Sequence, residues 1–458
     1  MKKILAVLLA TLILAGMLTA CSSGTATSAA ASSAAASAPA ASASTPAASA
    51  GTSAPASSGT SEKKTITVWA WDAKFNVAIM NDAAQRYQAD HPDVTVNVVE
   101  MAKADVEQKL NTALASGTTE GLPDITLIED YNAQKYIKSY PGAFSDLTSS
   151  INSADFAAYK TQIMTIDNKL YGVPFDSGVA GMFYRTDLLE QAGFTADDMK
   201  NITWDRFIEI GKTVKEKTGK YMLGFQLTDG GLMRIMLQSA GSWYFNADGS
   251  VNIADNEVLK EAMETYKKIN DSGIFKPTTS WDEWVGAINS GDAATITTGV
   301  WIVGSIKAGA DQSGKWAVAP VPRLNNADSK NASNLGGSSW YVLENSANRD
   351  AAIDFLKTMY DGNMDFYQNI LINQGAMGTY LPAATGEAYA ATDEFFGGTA
   401  IYKDLSQWVT EIPAVSYGAY TYEADAAVMA QIDAFCKGSI PVEKALNDAQ
   451  AQVEIQIG

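Results

Sequence analysis

The residues that could do chemistry here are five carboxylates and the aromatics beside them. Asp72, Glu129, Asp130, Asp176 and Asp229 each stand at or next to a predicted strand end, turn or loop mouth. Trp71, Tyr131, Trp243, Trp301 and Trp340 occupy the same kind of position. Two carboxylates at a set separation can serve as acid and base or nucleophile of a glycosidase or lyase. The same groups can also bind without reacting. A pyranose offers a flat C–H face for an indole and hydroxyls for carboxylates and amides. Spacing along the chain does not measure the separation between carboxyls, so both chemistries stay open at this point. Histidine chemistry is nearly closed. The single histidine, His91, lies in Asp90-His91-Pro92-Asp93, a turn between a helix and a strand. The histidine of a triad would have to come from this turn, a His-rich zinc site has no second histidine to draw on, and two cysteines give neither a disulfide framework nor a cysteine metal site. No metal and no cofactor is expected.

The elements that must hold those residues alternate. Thr65–Asp72 is an alternating strand, Phe75–Ala89 a helix, Val94–Val99 a strand, Met101–Ser116 a helix closed by Gly117, and Pro123–Ile128 a third strand. That order predicts an α/β lobe with a mainly parallel sheet, in which ligands collect beyond the carboxyl ends of the strands. Trp71, Asp72, Glu129 and Tyr131 fall there. Asp124, in Pro123-Asp124-Ile125, is expected to make a local structural bond. Next, Tyr171–Phe175 and Val179–Tyr184 are two apolar strands joined by Asp176-Ser177-Gly178 with no helix between them. A strand, a glycine-containing bend and another strand make a poor βαβ unit. They suit a joint between lobes, with Asp176 in the cleft. Later elements alternate again through Ser338–Leu343, and the rest from Asp350 is mostly helical. Trp204, Trp281 and Trp284 on helix faces, and Trp316 within a strand, are expected in the core.

A length of 458 residues exceeds what one core serves, which favours two lobes. The net charge of −18 argues against nucleic acid or an anionic membrane surface as partner. Residues 1–20 read as a bacterial lipoprotein signal: Lys2-Lys3, an apolar run, then Leu18-Thr19-Ala20-Cys21, a lipobox that would leave acylated Cys21 at the mature N-terminus. Residues 21–64 are nearly all Ser, Ala, Thr, Gly and Pro, the composition of a flexible tether. The expected location is the outer face of the cytoplasmic membrane, reached through the lipid alone.

The folded part resembles the family 1 extracellular solute-binding proteins, the carbohydrate receptors of ABC importers. The resemblance spans residues 65–455 and rests on several pieces in order. They are the opening strand with its Trp; Pro123-Asp124-Ile125; Tyr171–Leu189; Asn289–Ala294 followed by Trp301; Gly336-Gly337; and the tail around Ala445–Gln450. It implies a two-lobed periplasmic-binding-protein-like (type II) fold with three interlobe crossings, near Asp176, Asn334 and Met377. The lobes would be 65–175 with 335–376, and 176–334 with 377–458. It also implies a monomer that holds an oligosaccharide in an interlobe cleft and then docks on permease subunits, with no bond made or broken. Trp301 falls on the family's stacking Trp. Tyr131 falls where the maltose-binding protein has a sugar-binding carboxylate, and Asp229 where it has a glutamate. Gly178 and Trp71 depart from that protein's pattern, which points to a glycan other than maltose. The ligand-binding set read this way is Trp71, Asp72, Glu129, Tyr131, Asp176, Asp229, Trp243, Trp301 and Trp340. The alternatives are a secreted glycoside hydrolase or lyase, and a same-fold receptor for a peptide, polyamine or metal complex.

Overall fold

The computed structural model describes residues 63–458. The signal segment, the lipobox Cys21 and nearly all of the tether lie outside the described residues. Strand β1 (Lys64–Ala70) buries alternate side chains and then both faces, and the helix Asn76–Asp90 carries the chain to β2 (Val94–Glu100). The helix Lys103–Ser116 ends on Gly117 in the left-handed region and leads towards β3 (Ile125–Glu129). Both β2 and β3 run parallel to β1. Asp124, just before β3, accepts from the Thr67 amide at 2.6 Å and so ties the two strands together. It is structural, but through strand-to-strand bonding to a residue 57 positions earlier and not through the local bond expected.

Two five-stranded sheets organise the rest. β4 (Val173–Pro174) closes the first; β5 (Ala180–Arg185), β6 (Tyr221–Phe225), β7 (Phe275–Pro277), β8 (Ala293–Gly299) and β9 (Trp316–Pro320) make the second. The chain then returns to the first sheet as β10 (Ser338–Val342). The orders are β2-β1-β3-β10-β4 and β9-β5-β8-β6-β7. β10 runs antiparallel to β3, and β5 antiparallel to both β8 and β9, so neither sheet is wholly parallel. Helices cover both sheets, and fully buried aromatics such as Trp204, Trp316 and Tyr266 fill the space between.

The segment between β4 and β5 is not the bend its Asp-Ser-Gly composition suggests. It runs extended and pairs with two other segments. Ser177 N donates to Met377 O at 2.7 Å and Thr379 N to Phe175 O at 3.0 Å; on the other side Leu335 N donates to Gly178 O at 2.8 Å and Ala180 N to Ser333 O at 2.9 Å. Gly178 serves close approach rather than turning. A Cβ there would lie 2.2 Å from the Leu335 carbonyl oxygen. Gly178→Ala is therefore expected to cost about 1–3 kcal/mol by overpacking against backbone that has nowhere to go. Urea unfolding tests this, and an unchanged midpoint would show that the three segments can part at Gly178 without cost.

A buried lysine ties the same region to the first sheet. Lys160, on the helix Ala158–Met164, donates to Asp130 Oδ2 at 2.6 Å, to Asp176 O at 2.7 Å and to Ser338 O at 2.8 Å. All three of its N–H groups are thus used. Gly337, at φ +102°, lets the chain turn over this pair, where a Cβ would meet Asp130 Oδ2 at 2.7 Å.

Candidate functional site

A cleft of about 710 Å³ opens between the two sheets. Its walls are strand ends and helix starts. From the first sheet come Asp72 beyond β1, Glu129 at the end of β3 and Tyr131 on the first turn after it. From the second come Thr297 and Thr298 near the end of β8, Trp301 just past it, and Trp281 and Trp284 on the helix Trp281–Asn289. Asp229 and Arg234 come from the start of the helix Gly231–Ser239, Tyr422 from the helix Thr421–Cys436, and Asp176 with Leu335–Ser338 from the paired crossing segments.

Six of the nine residues expected from the sequence line this cleft: Asp72, Glu129, Tyr131, Asp176, Asp229 and Trp301. Their carboxylates are already engaged. Asp72, itself at φ +66°, accepts from the amides of Lys74 and Phe75. Glu129 accepts from Lys103 and from the Tyr422 hydroxyl. Asp176 Oδ1 accepts from the Ser338 amide at 2.6 Å, and Asp229 Oδ1 from the Gly231 amide at 2.7 Å. A carboxylate has about four lone-pair sites, so each can still accept from a ligand hydroxyl. Burial raises the Asp176 carboxyl above its ordinary range, against the pull of Lys160 and the Ser338 amide.

Three expectations need correction. Trp340 is 0% exposed in the middle of β10, flanked by Leu127 and Val173 and packed on Phe175. Trp243 is 1% exposed; its indole N–H donates to Thr421 Oγ1 at 3.0 Å and its ring packs against both Tyr131 and Tyr417, which also touch each other. Both are core. Trp71 packs half-buried on the first sheet's core and is not part of the cleft wall.

The opposite correction applies to Trp281 and Trp284, placed with the core from their helical spacing. Trp281 is 52% exposed, its ring centroid 5.9 Å from that of Trp301 and 5.5 Å from that of Trp284. These three indoles form one aromatic wall. Trp301, 37% exposed, is fixed by its N–H, which donates to Leu335 O at 2.8 Å. Arg234 was also missed. Its guanidinium lies 5.2 Å over the Tyr131 ring and 5.9 Å over Tyr422. Burial works against its charge, but Asp425 and the surrounding tyrosines more than offset that. The signal was there in the sequence: Arg234 is the one charge in Gly-Leu-Met-Arg-Ile-Met-Leu-Gln-Ser.

The cleft also holds polar atoms without partners. The Thr297 and Thr298 hydroxyls and Arg234 Nε are shielded from solvent and bonded to nothing in the protein. Unpaired buried donors and acceptors cost about 1–3 kcal/mol each, so a surface keeping three of them beside an aromatic wall is shaped for a polar ligand with apolar faces.

Comparison with known proteins gives the same direction. Residues 82–396 match the family described as bacterial extracellular solute-binding protein. A lactose-binding protein of Rhizobium radiobacter is 55% identical over 392 residues, covering 86% of this chain and 93% of that one. An arabinooligosaccharide-binding protein of Bacillus subtilis (strain 168) is 27% identical over 370 residues, covering 78% and 83% of the two chains. Among solved structures, an extracellular solute-binding protein of family 1 superposes with a TM-score of 0.73 at 20% identity, covering 85% of this chain and 98% of that one. The chain belongs to the bacterial extracellular solute-binding protein family.

Proposed function

We propose that this chain is the extracytoplasmic receptor of an ABC importer for a β-galactoside such as lactose. The carrying observation is the cleft itself: an indole wall of Trp281, Trp284 and Trp301 faces Asp72, Glu129, Asp176 and Asp229, with unpaired hydroxyls at Thr297 and Thr298. The 55% identity to a lactose-binding protein supports the choice of sugar. Members of the family bind solutes and are not enzymes, so the glycoside hydrolase reading falls away. The mechanism is binding without covalent change. One pyranose stacks on the indoles while carboxylates accept its hydroxyl protons. Because the walls come from both sheets, contacts on both sides weight the hinge towards a closed state.

The lobes of this reading are 65–175 with 335–376 and 176–334 with 377–458, divided at the three paired segments. Cys21 would carry the lipid anchor and residues 22–64 the tether. The closed form would then deliver its sugar to the permease subunits as a monomer.

A saccharide panel read by thermal shift and calorimetry tests this. Lactose at 100 times its Kd is expected to add about 2.7 kcal/mol to the unfolding free energy. A panel of β-galactosides with no shift, alongside a shift with a peptide or polyamine, would overturn the sugar reading.

A further inference from the structure

Arg234 is the single cation among the charged side chains that line the cleft; the others are Asp72, Glu129, Asp176 and Asp229. It enters from the start of the helix Gly231–Ser239, and the two tyrosine rings beneath its guanidinium are themselves tied down. The Tyr131 hydroxyl accepts from the Gly336 amide at 3.2 Å, and the Tyr422 hydroxyl donates to Glu129. The fork they hold has no acceptor of its own. Its Nε is shielded from solvent and bonded to nothing in the protein, and among the described residues no hydrogen bond or ion pair engages either Nη. Asp425, which helps keep the group charged against burial, accepts instead from the Tyr244 hydroxyl at 2.7 Å. We propose that Arg234 determines specificity by reading the sugar's acetal: its N–H groups donate to the glycosidic oxygen and to the ring oxygen on the same anomeric carbon. The inference rests on the carbohydrate reading above and deepens it.

The assignment follows from matching donors to acceptors. A guanidinium donates and never accepts, whereas an ionised carboxylate accepts and never donates. Sugar hydroxyls do both. They can give their protons to Asp72, Glu129 or Asp229, and the Thr297 and Thr298 hydroxyls can turn to suit them. The ring and glycosidic oxygens carry no proton and only accept. Set against a carboxylate they would meet lone pairs, and buried with no donor they would weaken binding. Both stand on one carbon, spaced much as the two oxygens of a carboxylate are, and that is the spacing a guanidinium's parallel N–H groups meet. A carboxylate on the ligand would fit the same fork, but Asp72, Glu129, Asp176 and Asp229 line the same space and would repel it. A lysine here would be a mobile point charge. An arginine stacked on two fixed rings is a pair of donors already aimed.

Calorimetry with lactose and two of its analogues tests the proposal; sulfur replaces the glycosidic oxygen in one and the galactosyl ring oxygen in the other. A thioether sulfur is a weak acceptor, so each analogue lacks what Arg234 reads and keeps every hydroxyl. The intact protein is expected to bind each analogue at least ~10-fold more weakly than lactose, as the loss of a bond to a charged group implies. Arg234→Met should weaken lactose binding by a similar factor and bring the ratio of lactose to analogue affinity close to one. Arg234→Lys keeps a cation near Asp425 and gives up the fork, and should shrink that ratio at least about threefold. A merely structural role for Arg234 would lower all three affinities in the variants together and leave the ratio at the parent's value. That result, or analogues that bind the intact protein as tightly as lactose does, would overturn the assignment. If Arg234→Met does not fold, the analogues on the intact protein and on Arg234→Lys decide. Failure of lactose and every other saccharide to bind would remove the carbohydrate reading instead, and this inference with it.

Discussion

Lys160→Met is expected to lower the unfolding free energy by about 3–5 kcal/mol, the usual cost of stripping one partner from a fully buried ion pair. The side chains of Lys160 and Asp130 are 0% and 1% exposed, and the lysine's other two bonds go to backbone carbonyls of Asp176 and Ser338. Methionine matches the stem but leaves Asp130 without its cation and both carbonyls without these donors. The double variant Lys160→Met with Asp130→Leu should recover only the share of the loss that comes from the unpaired carboxylate, because two apolar side chains in place of a buried pair are often neutral or better while the two carbonyls stay without donors. Urea unfolding reads both. A single-variant loss below about 1 kcal/mol would show that the pair does not hold the crossing segments to the first sheet.

The loss should also depend on pH. Burial pushes the Asp130 carboxyl up to about 7 even with Lys160 pulling it down. Without the ammonium it rises further, so the folded chain holds that proton more tightly than the unfolded chain does. Stability from such a group is complete below the ordinary carboxylate range and is lost as pH rises through the folded-state value. The deficit of Lys160→Met against the parent should therefore be largest near pH 8 and shrink towards pH 5. A deficit that grows on acidification would mean that Asp130 stays ionised in the variant.

How much of this was legible in the chain depends on how local the signal is. The first sheet's alternation of strand and helix could be read because periods of 2 and 3.6 lie within single segments. The carboxylates at the ends of β1 and β3 followed from that order. The crossing at Asp176-Ser177-Gly178 read as a bend because the glycine's reason is Leu335 O, more than 150 residues away. Lys160 gives no sign in Ala-Tyr-Lys-Thr-Gln-Ile-Met; only Asp130, folded against it, explains a charge there. The tryptophans fail for a related reason. Trp340 is expected at a strand end or loop mouth, yet it lies in the middle of β10, the whole of which is covered. In the helix Trp281–Asn289, Ala287 and Ile288 near its end are the buried residues, and its first turn reaches the cleft. Indole patterning within one segment does not say which face another segment will cover.

Trp301→Ala is expected to weaken lactose binding at least ~30-fold, the ≥2 kcal/mol of a central aromatic anchor. The ring stands in the cleft wall beside Trp281, so its loss removes a stacking face and shortens the indole wall at one end. Its N–H also supports the Leu335 carbonyl, which separates two explanations. Trp301→Phe keeps an aromatic face and gives up that bond. If stacking is what binds the sugar, the phenylalanine variant retains most of the affinity and the alanine variant does not. If Trp301 acts mainly by bracing Leu335, and through it the second crossing segment, both variants lose binding alike and both lose stability. Calorimetry with lactose, paired with urea midpoints, distinguishes the two. Unchanged affinity in Trp301→Ala would remove the indole from the site and leave Trp281 and Trp284 as the stacking surface.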